Sequence, residues 1–257
     1  MEKLSIIVPA LNEEKRIGVF FENYISYFKN LKKQGILDFE IVLVLNNCED
    51  NTKGVAESFN LDEMIILELL QEGKGIAITE GFKNALTRDN DFIGFVDADM
   101  ATPPEAFFAL VRGMRGYDGT IANRWDKRSI IKARQSLLRR ILSRGFNLIV
   151  KSLFLFPYQD TQCGAKIFRR KMIEKVIPKI GSTRWAFDID LLFYSKKAGA
   201  KIKSVPTIWE DKTDSRINLK KVPLTMFLSV IRLRLVHSPF NFIVQFYHYL
   251  PQRLKLV

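Results

Sequence analysis

Only two of the 257 residues are cysteine, Cys48 and Cys163, and only two are histidine, His237 and His248. That scarcity argues against a disulfide framework or a structural zinc site and suits a reducing compartment. No histidine lies near Cys163 to activate a thiol, so it reads as a small core residue, and both histidines sit in an apolar tail as structural or interfacial groups. Long apolar runs are missing too. No stretch reaches the ~18 to 20 uninterrupted apolar residues that a membrane-spanning helix needs. No apolar leader is expected before the first strand, and there are no repeats, low-complexity tracts or linkers.

What the chain does carry is positive charge and apolar bulk. Lysine and arginine total 40 against 28 acids, a formal net charge of +12. Such a balance points to nucleic acid, an anionic membrane or phosphorylated small molecules. A nucleic-acid role predicts stacking aromatics inside the basic patch. Here the cations accompany aliphatic helix faces and the strand ends are acidic, so nucleic acid is set aside. Hydrophobic residues make up 47% of the chain, enough for one large or two small domains with a substantial core.

Residues 4–8, 39–45, 64–70 and 92–96 are apolar runs, interrupted only by Ser5, Glu40, Glu68 and Gly94, as strands buried on both faces are. Between the first two, Ile17, Phe20, Phe21, Tyr24, Phe28 and Leu31 recur at three- and four-residue steps, one face of a helix closed by Lys32, Lys33 and Gly35. A short helix is expected up to Ser58, and another after Gly75 bearing Gly81 and Ala85. Strands alternating with helices predict an α/β fold with a mostly parallel sheet covered on both faces. The carboxyl ends of parallel strands share one edge, so the polar clusters 9–14, 46–52 and 97–102 are expected to converge.

The strand 92–96 ends on Asp97 and Asp99, separated by Ala98. Pro103 and Pro104 then start a helix with Glu105 in its first turn. Two hard oxygen ligands at a strand tip suit Mg²⁺ or Mn²⁺, held by one or two carboxylates plus substrate phosphates. An isolated Asp-x-Asp is more often a solvated turn. Convergence with two other polar loops is what raises this pair above that reading.

Taken in order, Ser5-Ile-Ile-Val-Pro-Ala-Leu-Asn-Glu-Glu14, Glu49-Asp-Asn-Thr52, Gly73-Lys-Gly75 with Gly81, and Phe95-Val-Asp-Ala-Asp99 resemble an inverting family 2 glycosyltransferase with a GT-A fold. Asp160-Thr-Gln-Cys-Gly-Ala-Lys166 and Arg184-Trp-Ala-Phe-Asp188 resemble the subgroup that glycosylates dolichyl or other polyprenyl phosphates, its glucosyl members most. The resemblance implies a catalytic domain over 1–220, with 221–257 forming C-terminal amphipathic helices. It implies that Pro9, Ala10, Asn12 and Glu13 contact base and ribose. It makes Asp97, Ala98 and Asp99 part of the nucleotide-sugar site, with Asp97 and Asp99 as the metal ligands. Asn46 stands where the family often has a base-reading aspartate; pairing with a uracil edge and a plain turn role both stay open. Lys74, reaching the nucleotide or simply solvated, is open in the same way. Ala101 occupies the position where mannosyl-phosphate synthases often supply a third ligand, which weakens the mannosyl reading.

Arg124 resembles the family's phosphate-binding arginine, and Arg216 joins it as a counter-charge for the acceptor phosphate. The implied reaction moves a hexose, glucose foremost, from a UDP-sugar to a polyprenyl or dolichyl phosphate. A phosphate monoester with its second pKa around 6 is already largely anionic, so little general-base help is needed. Asp99 and Arg124 then act on the phosphates, while Asp160 and Asp188 orient sugar or acceptor; for a hydroxyl acceptor one of the latter would have to be the base. A first-turn helix charge is the equal alternative for Asp188. The other reactions kept open are transfer from GDP-mannose and family 2 transfer to a cell-envelope glycan.

Residues 129–156 read as one long helix mixing leucine and isoleucine with Lys132, Arg134, Arg139, Arg140, Arg144 and Lys151. Residues 222–236 and the aromatic-dense 240–250 follow. Apolar faces flanked by arginine lie on anionic membranes, so peripheral attachment at the cytoplasmic face is expected. The alternative is helices packed on the sheet, or a dimer contact, with a solvated basic face.

Overall fold

The apolar runs become strands β1 (Lys3–Ala10), β2 (Asp38–Asn46), β3 (Met64–Leu69) and β4 (Phe92–Val96) of a computed structural model. It describes residues 1–133, 137–181, 186–210, 222–239 and 242. β5 (Gly119–Asn123), β6 (Ile130–Ala133), β7 (Ala165–Arg169), β8 (Ile202–Pro206) and β9 (Ile208–Glu210) complete the strands among these residues. The main sheet runs β3-β2-β1-β4-β7-β5-β8, and β6 pairs with β9 in a separate ribbon. All neighbours in the main sheet are parallel except β7, which lies antiparallel between β4 and β5.

Helices cover both faces, as strands apolar on both sides require. On one face lie α1 (Glu14–Lys33), α2 (Thr52–Glu57) and α4 (Pro104–Arg112). The six periodic residues of α1 are all buried there. Each large side chain so buried contributes about 1.5–3 kcal/mol, which is what holds a helix that would be marginal alone. The other face takes α3 (Lys74–Ala85), α5 (Leu137–Phe154), α6 (Arg170–Val176), α7 (Phe187–Lys197) and α8 (Val222–Val236).

The long helix expected over 129–156 is two elements. Residues 130–133 are strand β6, drawn into pairing with β9 from Ile130↔Ile208 onward, and the helix begins at Leu137. The ribbon is anchored by the Ser129 hydroxyl, which donates to the Asn123 carbonyl at 2.5 Å and accepts the Thr207 N–H at 2.9 Å. α8 places Val230 and Leu233 in the same core as α7, while Arg232 and Arg234 stay exposed. Its apolar residues are spread around the helix rather than gathered on one face. Arg134, residues 240–241 and 243–250, and Arg216 lie outside the described residues, as do the side chains of Leu137, Leu138 and Arg139.

Candidate active site

β4 ends at Val96, and the chain turns immediately through Asp97, Ala98 and Asp99. Asp97 donates its N–H to the Gly164 carbonyl at 3.2 Å. The approach is so close that a Cβ on Gly164 would fall 2.0 Å from Asp97 Oδ2, so any side chain there would displace the Asp97 carboxylate. Asp99 Oδ1 accepts the Ala101 N–H at 2.9 Å, and Met100 between them takes φ 61°. That left-handed conformation costs a non-glycine residue roughly 1–2 kcal/mol, strain held beside the acidic pair. Burial, then the neighbouring Asp97 charge, raises the Asp99 pKa above its usual range against the pull of the Ala101 N–H, Lys74 and Arg16. The Lys74 ammonium stands 2.5 Å from Asp97 Oδ1. Two carboxylates close enough to disfavour each other's charge are a fit for a divalent, oxygen-seeking cation. Among the described residues no cluster of three or more His, Cys, Asp or Glu joins them. At the third position Ala101 is buried, and its carbonyl accepts the Glu210 N–H at 3.0 Å.

The first two loops do meet at this edge. Asn12 Oδ1 accepts the Glu49 N–H at 2.8 Å, Thr52 Oγ1 accepts the Glu13 N–H at 2.8 Å, and Cys48 bridges the Asn12 N–H and the Ala10 carbonyl. Asn12 and Asn47 both adopt positive φ, 54° and 56°, which asparagine tolerates better than most residues. Pro9 is half-buried, and Ala10 and Ala98 are buried. Glu13 holds Arg16 through two bonds of 2.5 and 2.7 Å. Its pKa is raised, by burial above all, with Arg16 opposing and Asp99 and Asp97 adding to the rise. Asn46 is 3% exposed and its Oδ1 accepts the Gly73 N–H at 3.1 Å. It therefore fixes the turn from which α3 and Lys74 depart; Gly73 itself sits at φ 142°, which favours glycine.

Two strands away, Arg124 follows β5. Its Nε and Nη2 grip Asp160 at 2.7 and 2.9 Å, and its own N–H adds a third bond at 3.0 Å. Asp160 is 1% exposed. Burial works against its charge, but the Arg124 charge and hydrogen bonds hold its pKa below the usual carboxylate range. Asp160 is thus buried against Arg124 and fixes the orientation of that guanidinium. The guanidinium also lies 5.3 Å over the Trp209 ring, and both residues line a cleft of about 490 Å³ with Trp125, Asp126, Arg140 and Arg144. Asn147 of α5 pins the 159–161 loop beneath it, donating to the Gln159 carbonyl and accepting from the Thr161 N–H and hydroxyl.

Asp188, in the first turn of α7, is held by Lys166. The Lys166 side chain is fully buried, donates also to the Cys163 carbonyl at 2.7 Å, and lies 5.3 Å over the Phe95 ring. Burial pushes the Cys163 thiol up to about 12, which agrees with an inert core role. Sequence reasoning gave no role to Lys166, Trp125, Asp126 or Trp209. For Lys166 a signal existed: a lysine inside an otherwise apolar strand is buried only when paired.

A family model described as glycosyl transferase family 2 matches residues 5–177, about two thirds of the chain. The chain belongs to glycosyl transferase family 2. This family 2 transferase is 28% identical over 245 residues to a dolichyl-phosphate beta-glucosyltransferase of Dictyostelium discoideum, covering 90% of this chain and 73% of that one. It is 29% identical over 232 residues to the Homo sapiens protein of the same description, covering 84% and 70%. Among solved structures it resembles glucosyl-3-phosphoglycerate synthase from Mycobacterium tuberculosis, crystallised with Mn²⁺, UDP-glucose and phosphoglyceric acid. The TM-score is 0.66 at 16% identity, with 92% of this chain and 79% of that one covered. The GT-A arrangement of this family 2 transferase accounts for that likeness, as a mostly parallel sheet flanked by helices.

Proposed function

We propose that this chain transfers glucose from UDP-glucose to a polyprenyl phosphate of the dolichyl type, with inversion at the anomeric carbon. The observation that carries the acceptor assignment is the pairing of three carboxylates: Asp126, which lines the cleft, Asp160 behind Arg124, and Asp188 at the start of α7. Asp160 is locked to Arg124, Asp188 to Lys166, and Asp126 to Arg128, which with its own hydrogen bonds holds Asp126 near pKa 2. The arginines keep Asp160 and Asp126 charged and low in pKa, which makes both poor general bases. An acceptor that arrives already deprotonated suits such a site, and a phosphate monoester does. Arg124, held flat by Asp160 and Trp209, with Arg140 and Arg144 on the cleft wall, offers the counter-charge that brings a second phosphate toward a diphosphate.

On the donor side, Asp97 and Asp99 would hold Mg²⁺ or Mn²⁺, and that ion would neutralise charge on the departing diphosphate. The Mn²⁺ and UDP-glucose bound by the Mycobacterium tuberculosis neighbour support this, as do the glucosyl relatives. Pro9, Ala10, Asn12 and Glu13 present the first loop to the nucleotide. Asn46 acts through the Gly73 turn, and Asp188 borders the sugar side. Residues 1–220 would carry this chemistry, with 221–257 as a C-terminal attachment segment.

No helix among the described residues is long and apolar enough to cross a membrane. α5 nonetheless exposes Ile141 and Leu148 at 59 and 65%, with Leu142 and Ile149 beside them along one stripe, and Leu155 just past its end is 76% exposed. The same helix lends Arg140 and Arg144 to the cleft. An apolar stripe ending at a cationic cleft suits a lipid whose tail lies in the bilayer surface and whose phosphate enters the protein, from peripheral attachment at the cytoplasmic face. The test is incubation of purified protein and Mn²⁺ with UDP-glucose or GDP-mannose and vesicles containing polyprenyl phosphate, followed by mass spectrometry of the lipid. A glucosylated lipid phosphate is expected; preferential mannosylation, or no lipid product, would overturn the assignment.

A further inference from the structure

Asp97 is approached from two sides. Gly164 walls off Oδ2, where even a Cβ would fall 2.0 Å away, while Oδ1 faces the Lys74 ammonium at 2.5 Å. Any cation taking Asp97 from the open side therefore meets Lys74. The Lys74 side chain is 44% exposed, and its backbone is fixed at the start of α3 by the Gly73–Asn46 bond. The four-carbon stem can swing while its root stays in place.

We propose that Lys74 is a built-in counter-ion that competes with the divalent metal for Asp97 and transfers to the diphosphate when the nucleotide arrives. This rests on the donor reading above and adds a binding order to it. Asp97 and Asp99 supply two negative charges, which a divalent ion alone neutralises. Lys74 left among them would be surplus positive charge, and an incoming diphosphate absorbs it. Metal and nucleotide then assist each other through one ammonium, and the assistance is equal in both directions.

The experiment measures Mn²⁺ binding to the nucleotide-free protein from the free-Mn²⁺ electron paramagnetic resonance signal, then repeats it with saturating UDP. The wild type should bind Mn²⁺ weakly alone and more tightly with UDP, by a factor within about 5–150. Lys74→Ala and Lys74→Gln should bind Mn²⁺ about tenfold tighter without UDP and gain little from it, whereas Lys74→Arg should behave like the wild type. Asp97→Asn should abolish binding in every background. Unchanged Mn²⁺ affinity in Lys74→Ala and Lys74→Gln, with Asp97→Asn still losing it, would overturn the counter-ion role alone. Mn²⁺ binding that survives Asp97→Asn, or is absent from the wild type even with UDP, would overturn the metal assignment and this inference with it.

Discussion

Replacing Asp160 by asparagine removes one charge from a buried pair and leaves its shape almost intact. Arg124 would keep a guanidinium 15% exposed with no opposite charge, opposite a side chain that was 1% exposed. Breaking one partner of such a pair costs about 3–5 kcal/mol. The asparagine carbonyl can still accept one of the three bonds, which places the expectation near the lower end, about 3 kcal/mol. For a chain of this length that lowers Tm by roughly 6–12 °C. Thermal unfolding and urea titration at neutral pH would read it. The sign with pH follows from the depressed carboxyl: its folded pKa lies below the ordinary 3.8, so its contribution is present above that value and is lost as pH falls through the folded one. The gap between wild type and variant should therefore close in acid below about pH 4. The pair-removing variant Arg124→Met with Asp160→Leu should recover most of the stability while remaining inactive. A loss under about 1 kcal/mol, or a gap that persists unchanged in acid, would refute the locked-pair account.

Asp99→Asn should abolish metal-dependent UDP binding by calorimetry while the circular dichroism spectrum stays that of the wild type. UDP should bind more tightly than GDP in Mn²⁺, and the reverse order would favour a mannosyl donor. Arg124→Ala should stop lipid transfer while UDP affinity changes less than about twofold, and a large loss of UDP affinity would move this residue to the donor side. Leu148→Glu on the exposed α5 stripe, with Leu155→Glu just past the helix end, should cut co-sedimentation with anionic vesicles by at least about tenfold, since burying one leucine is worth roughly 1.5–3 kcal/mol; equal pelleting would mean that the stripe faces protein.

The first half of the fold was legible because its signals are local. Strands buried on both faces read as largely apolar runs, and β4 begins and ends at the residues expected. Gly73, Pro103 and Pro104 punctuate the helix starts, and the Asp97/Asp99 pair stands out at a strand tip. What was not legible depends on partners far along the chain. Residues 130–133 look like the start of the α5 pattern until β9, more than seventy residues on, pairs with them. Arg124 and Asp160 are 36 residues apart and Lys166 and Asp188 are 22 apart, so no spacing rule announces that these carboxylates are already spoken for. Asp160 consequently read as a residue orienting sugar or acceptor, with no sign in the sequence that it is buried against Arg124.

The antiparallel insertion of β7 has a consequence for folding fidelity. Ala165 and Ile167 face the layer containing α1 and α4, while Phe168 packs on the opposite layer and the Lys166 ammonium reaches α7 on that same side. Side chains alternate along a strand, so a slip of one residue would turn Lys166 into the apolar layer of Phe107 and Leu110, away from Asp188. An unpaired buried charge there would cost several kcal/mol, which discourages the wrong alignment more strongly than an apolar residue in its place would. Lys166, the partner of Asp188, is therefore expected to favour the native strand alignment as well. A library varied at position 166 and sorted for soluble expression would, on this reasoning, lose misaligned chains first, and sorting the survivors for turnover would then separate the two duties.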